Sequence, residues 1–217
     1  MGLTGASEPE LVMQRRQQFA DQLGFDLSQA LMTVQEHGAN VVTFHRRQPE
    51  GGQCVFSTDA LATDVSGQAI VTYHADCFPV LFGDASRGVV AGAHAGWRGS
   101  LAGVATQTVQ ALHLAYGTAP DQLDVLIGPG ICGRCYEVGA EVAARFAARY
   151  GREDRYLQRE DGKLRLDIEA LVRLQLEDAE VAPDRITSAG WCTREEERWF
   201  SHRGGRPGRF LSVVVAP

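Results

Sequence analysis

Three residues of this sequence, His37, Cys77 and His94, have side chains that together can hold a metal ion. Two neutral imidazoles and one thiolate suit zinc. Three protein ligands leave a fourth position for water or substrate, as in catalytic rather than closed structural sites. Each residue sits where an apolar, strand-like run ends: His37 in "QEHGAN", Cys77 in "HADCFP" and His94 in "GVVAGAHAGWRGS". Each also has a plainer reading. A lone cysteine is most often a small buried residue, and a histidine at a strand end can simply be solvated. Cys77 beside His and Asp is equally compatible with a nucleophilic thiol.

Around the trio lie further candidates. Asp76, next to Cys77, is a candidate general acid, so Asp76, Cys77 and His94 form the catalytic set. Arg98 follows His94 by four residues, and Ser100 is read as the cap of the next helix. Its free N–H groups and dipole, with Arg98, would favour an anion such as phosphate. Near the C-terminus Arg203, Arg206 and Arg209 stand among glycines, in a basic loop that can close over an anion or lie exposed. Cys132 and Cys135 form a C-x-x-C. No second cysteine pair accompanies it, so it is read as part of a glycine-rich loop against a ligand, with Cys135 as a substrate contact. His74 stays unassigned.

The elements that must position these groups follow from pattern. Ser7-Glu8-Pro9-Glu10 reads as a capping box before a helix ending near Gly24. Residues 31–36 and 41–45 read as strands around the turn 37–40, and 46–53 as a polar loop. Strand-like runs occupy 68–73, 78–82 and 88–93, the last two joined by "GDASRG" so that Cys77 and His94 share a sheet edge. A helix is expected from Ser100 to Tyr116, a strand at 123–127, a glycine-rich loop at 128–139 and a helix over 140–150. A charged surface excursion at 151–162, a helix capped by Asp167 and a final strand in "RFLSVVVAP" complete the chain. Strands and helices alternate without repeats or a linker, which predicts one α/β (α+β) domain with mixed β-sheets flanked by helices.

Composition narrows the function. A net charge of −6 argues against a general nucleic-acid binder. Every cation but Lys163 is arginine, which a GC-rich genome explains as well as anion recognition does. No apolar run is long enough to span a membrane, and the N-terminus has no secretory h-region. Five dispersed cysteines then point to free thiols or metal ligands in a reducing cytoplasm.

Taken together, "EHGANVV" at 36–42, "ADCFPVLFGD" at 75–84, "GAHAGWRG" at 92–99, "GPGICGRCYEVG" at 128–139 and "CTREEERWFSHRGGRPGR" at 192–209 resemble the laccase-domain family, also called multicopper polyphenol oxidoreductase-like or peptidoglycan editing factor-like. The resemblance implies zinc at His37, Cys77 and His94. It also implies purine nucleoside phosphorolysis of adenosine, inosine or methylthioadenosine, with adenosine deamination as a side activity. The partners are then a nucleoside and phosphate, with no nucleic acid or membrane, on a monomer or homodimer. Copper is disfavoured because six histidines cannot furnish a multi-copper ligand set. The chain departs from the family at His74, Arg134 and Gly204, and starts close to the first helix where relatives carry an earlier segment. Two alternatives stay open. One is a hydrolase editing a cell-wall precursor with Cys77 as nucleophile and His94 as base. The other is an inactive metal- or nucleoside-binding protein. The zinc-deaminase pattern H-x-E is absent, so any deamination uses another architecture.

Overall fold

The computed structural model describes residues 9–46 and 53–217. Helix α1 (Pro9–Leu23) precedes seven strands: β1 (Leu31–Val34), β2 (Val41–Phe44), β3 (Cys54–Phe56), β4 (Ala60–Thr63), β5 (Ala69–His74), β6 (Phe78–Asp84) and β7 (Val89–Ala95). Then come α2 (Trp97–Ala102), α3 (Val104–Tyr116), β8 (Asp124–Ile127), β9 (Glu137–Val138) and α4 (Ala140–Tyr150). The chain ends with β10 (Leu157–Glu160), β11 (Lys163–Leu166), α5 (Ile168–Asp178), β12 (Ile186–Ser188) and β13 (Phe210–Val215). The α/β class with mixed sheets and flanking helices is what the pattern predicts. No helix among the described residues is long and apolar enough to cross a membrane.

Two sheets carry the site. A six-stranded sheet runs β12-β8-β6-β7-β4-β2, antiparallel through its centre with parallel pairs at both edges. A four-stranded sheet runs β13-β5-β1-β3. Leu31, Leu61, Ile70 and Val90 pack between them. Helices α2, α3, α4 and α5 cover the other face of the larger sheet, burying Val104, Val109, Leu112, Phe146, Leu171 and Val172 against it. Helix α1 covers the outer face of the smaller sheet through Ala20. β7 is therefore covered on both faces and buried at every residue, which explains its unbroken apolar run. The β6–β7 hairpin pairs Phe78 with Ala95 and Pro79 with His94, so Cys77 and His94 do meet at one sheet edge.

Several expectations are corrected. Strands β1 and β2 flank the turn at 37–40 as expected but do not pair. They belong to different sheets, and the turn carrying His37 crosses from one to the other. Ser100 does not begin a helix: α2 starts at Trp97 with Gly96 as its cap, and Gly103, at φ 90°, separates α2 from α3. Serine is the better cap in isolation, but the two glycines set the boundaries. The excursion at 151–162 contains β10 and the turn of the β10–β11 hairpin, over the buried Tyr156. Strands β3, β4 and β12 are too short to declare themselves by alternation. Ser7, Glu8 and most of the 46–53 loop lie outside the described residues.

Candidate metal centre

Nδ1 or Nε2 of His37 and His94 and the Sγ of Cys77 all lie within 4.8 Å of one another. Three separate elements deliver them: the sheet-crossing turn, the loop before β6, and the end of β7. His94 is 2% exposed, while His37 faces solvent, so the group is closed on one side and open on the other. The two imidazoles meet edge to face, 4.8 Å between centroids.

The residue that builds this arrangement is Asp59, which pattern reasoning missed. It stands just before β4, 1% exposed. Its Oδ1 is 2.8 Å from His94 Nδ1, which leaves His94 Nε2 to face the other ligands. The same carboxylate accepts from the backbone N–H groups of Glu36, His37 and Gly38 at 3.2, 3.0 and 2.7 Å. That cradle holds His37 in a left-handed conformation, φ 61°, uncommon for a residue with a Cβ. One buried carboxylate thus orients two of the three donors, as carboxylates behind metal-ligating histidines do. A single Asp between Thr58 and "ALAT" gives no sequence signal of this role.

Glycines close the packing. A Cβ on Gly96 would lie 2.8 Å from Cys77 Sγ and 3.1 Å from His37, and one on Gly99 would lie 2.7 Å from the Gly38 carbonyl oxygen. "HAGWRG" therefore needs glycine at both positions for α2 to approach the His37 turn. Without a metal, the thiol and imidazole polarise each other. Burial alone would raise the Cys77 thiol, but the charge of His94 and hydrogen bonds from His37 and His94 outweigh it and bring it to about 6. Burial likewise opposes charge on His94, yet Cys77 and Asp59 together push it up to about 9.

Asp76 has a different task from the one its position suggests. Its Oδ1 accepts from Thr193 Oγ1 at 2.7 Å and Ser201 Oγ at 2.6 Å, and its Oδ2 from the Arg203 backbone N–H at 2.6 Å. Both oxygens are occupied as acceptors, so Asp76 fastens the 192–206 segment beside Cys77. Its own backbone is left-handed, φ 81°. Arg203 also donates to the Glu137 carbonyl oxygen at 2.8 Å, with its guanidinium over the Tyr136 ring at 4.9 Å. Burial and the charge of Cys77 push the Tyr136 hydroxyl up to about 12, against Arg203 and Arg98. Tyr136 thus lies in the field of both arginines and the trio. Arg98 is exposed, stacks on Trp97 at 4.4 Å and has no ion pair among the described residues.

Two anion-site candidates fall away. Ser100 is wholly buried and cannot reach a solvent-borne phosphate. Its carbonyl oxygen accepts instead from Tyr150 and Gln175. Arg206 spends its guanidinium on the carbonyl oxygens of Thr193, Arg194, Glu196 and Trp199, stapling the loop from within. His74 is buried between Thr72 Oγ1, at 2.7 Å, and the Cys77 carbonyl oxygen, at 3.2 Å, outside the donor trio. Cys135 belongs elsewhere: its thiol donates to Glu195 at 3.4 Å, in a group with Cys132 and Cys192. A cleft of about 400 Å³ borders that second group rather than the trio.

Comparison with known proteins places this geometry. Over residues 1–217 the chain matches the family described as multi-copper polyphenol oxidoreductase laccase. It belongs to that family. It is 38% identical over 217 residues to a purine nucleoside phosphorylase, SCO2081, of Streptomyces coelicolor, covering 99% of this chain and 87% of the relative. Adenosine deaminase RL5, from an unknown prokaryotic organism, is 33% identical over 213 residues, covering 94% of this chain and 81% of the relative. The crystal structure of YlmD from Geobacillus stearothermophilus superposes with a TM-score of 0.91 at 32% identity, over all of this chain and 84% of that one. The donor groups do not supply the several histidine clusters of a multi-copper site. A multi-copper oxidase needs further histidine clusters, and among the described residues His45, His74, His113 and His202 join no donor group.

Proposed function

We propose that this protein is a purine nucleoside phosphorylase that holds zinc at His37, Cys77 and His94. It would cleave adenosine, inosine or methylthioadenosine with phosphate in the cytoplasm, and deaminate adenosine as a side reaction. The observation that carries the reading is the open trio with its Asp59 support, in a chain whose relatives bear phosphorylase and deaminase names. The residues fit the metal. The donors are two nitrogens and one sulfur, His94 has its tautomer fixed by Asp59, and one side is left open. When bound, zinc would supply positive charge and Lewis acidity to the reaction.

The chain's own residues do the rest. Phosphorolysis forms a bond from phosphate oxygen to ribose C1′ and breaks the C1′–N bond, whose electron pair leaves with the purine. Arg98 and Arg203 supply positive charge around Tyr136, which also feels the charge of Cys77, and are suited to holding the phosphate dianion and steadying it as it attacks. Asp76, through Thr193, Ser201 and the Arg203 amide, keeps Arg203 in position. Tyr136 and Trp97 hold the two guanidinium planes. Chromatography of adenosine incubated with zinc-loaded protein tests this. Adenine and a phosphorylated ribose should appear only when phosphate is present. Cleavage without phosphate would overturn the assignment.

A second reading rests on one observation: Cys77, His94 and Asp59 also form a thiol–imidazole–carboxylate relay. That relay suits a hydrolase acting on a cell-wall precursor without metal. Full activity after chelation, abolished by iodoacetamide, would favour it.

A further inference from the structure

Cys132, Cys135, Cys192 and Glu195 form the second donor group, each offering an atom within 4.8 Å of the others. The sequence pairs Cys132-x-x-Cys135 with Cys192-x-x-Glu195, the same spacing with carboxylate in the fourth place. The first pair lies on the loop between β8 and β9, the second on the stretch after β12. We infer that this group is a second metal site, structural rather than catalytic, that takes zinc as a four-coordinate ion and ties the two loops together.

Four lines of geometry support it. A tetrahedral zinc with bonds of about 2.3 Å spaces its sulfur ligands about 3.8 Å apart, so the present grouping needs only a small contraction. Glu195 is already divided between two tasks. Its Oε1 lies 3.7 Å from Cys132 Sγ and 3.4 Å from Cys135 Sγ. Arg134 holds the same carboxylate from the other side, with one guanidinium nitrogen 3.2 Å from Oε1 and 3.1 Å from Oε2. A cation behind the carboxylate supports it as carboxylate partners of a metal are supported. Cys192 Sγ accepts from the Cys132 backbone N–H at 3.4 Å, a contact that favours thiolate. Finally, all five cysteines are free, so no disulfide performs the tie.

The need for a tie is visible in the chain. Residues 189–209 contain no helix or strand, a length at which irregular loops are uncommon in compact domains. Backbone bridges from Gly130 to Trp191 and Thr193 begin the anchoring, and Arg194 donates to the Cys135 carbonyl oxygen at 3.0 Å. The same stretch carries Thr193, Ser201 and Arg203, the three residues that hold Asp76 beside Cys77. An ion at the second group would thus steady the wall of the first site without touching substrate.

Metal counting on the full chain, dialysed into zinc-free buffer, tests the inference. Wild type should hold about two zinc ions per chain, and Cys192→Ser and Cys77→Ser about one each. Should Cys192→Ser fail to fold, cobalt(II) loaded into Cys77→Ser reads the second site alone. Strong thiolate-to-cobalt charge transfer is then expected. A single zinc in wild type that Cys77→Ser removes would overturn the inference. So would the absence of that band, or an intact mass short of two hydrogens that maps to a disulfide among Cys132, Cys135 and Cys192.

Discussion

The two donor groups use similar atoms but are built in opposite ways. His37, Cys77 and His94 hang from the ends of paired strands and from a turn clamped by a buried aspartate, with one side open to solvent. Cys132, Cys135, Cys192 and Glu195 come from two loops with little regular structure, and bring four donors within 4.8 Å of one another. The first is a site the fold holds ready for an exchangeable partner. The second is a site through which an ion would hold the fold. The thiols differ in part. Positive charge and hydrogen bonds bring Cys77 down, whereas burial and neighbouring groups push Cys132 and Cys135 up in the absence of metal, while backbone hydrogen bonds from Cys132 and Glu195 outweigh burial and bring Cys192 down.

That difference can be broken at several points. His37→Ala should reduce phosphorolysis to background while leaving the thermal midpoint near that of wild type, because His37 is exposed and its ring contacts are to the other two donors. A large fall in midpoint would mean that the trio is structural after all. Asp59→Asn should weaken zinc binding about 10- to 100-fold, since an outer-shell carboxylate orients both histidines. Competition against a chromophoric chelator would measure this, and unchanged affinity would remove Asp59 from the account. Gly96→Ala, whose Cβ would press on Cys77 Sγ at 2.8 Å, should cost about 1–3 kcal/mol in denaturant unfolding and lower zinc affinity. Ser201→Ala removes one of three donors to Asp76, and should cost about 1–3 kcal/mol and raise KM for phosphate more than it lowers kcat.

Acidity sharpens the contrast without mutation. In chelated protein, Cys77 is a thiolate above about pH 6, so its alkylation by iodoacetamide should climb through that pH and level off before pH 8. Cys132 and Cys135, held above the ordinary thiol value, should react only at more alkaline pH. Peptide mapping over a pH series reads both at once. Equal profiles would show that the trio does not activate its thiol.

How much of this was legible in the sequence depended on whether a residue's role was local. The trio's ligands could be named because histidine and cysteine at strand ends are chemically unusual, and because their motifs resemble a known family. The β6–β7 hairpin was legible from two apolar runs and a turn. Asp59 was not, because its role is made by four contacts to residues distant in the chain. The anchoring contacts of Asp76 were hidden for the same reason. Its neighbour Cys77 suggested proton transfer, while its partners Thr193, Ser201 and Arg203 lie more than a hundred residues away. Arg206 reads as an anion ligand by type, yet tertiary contact spends it on carbonyl oxygens. The second donor group is hidden in the sequence because its fourth ligand is Glu195 rather than a cysteine or histidine. A C-x-x-E at the same spacing as C-x-x-C was the available signal.

The most direct test removes zinc in steps from wild-type protein with a chelator of graded strength. At each step it records bound metal, phosphate-dependent cleavage of adenosine, and the thermal midpoint. Activity should vanish with the first, more accessible ion while the midpoint holds, and the midpoint should fall only as the second ion leaves. Activity that survives removal of all metal, or activity and midpoint lost together with a single ion, would contradict the division of labour between the two groups.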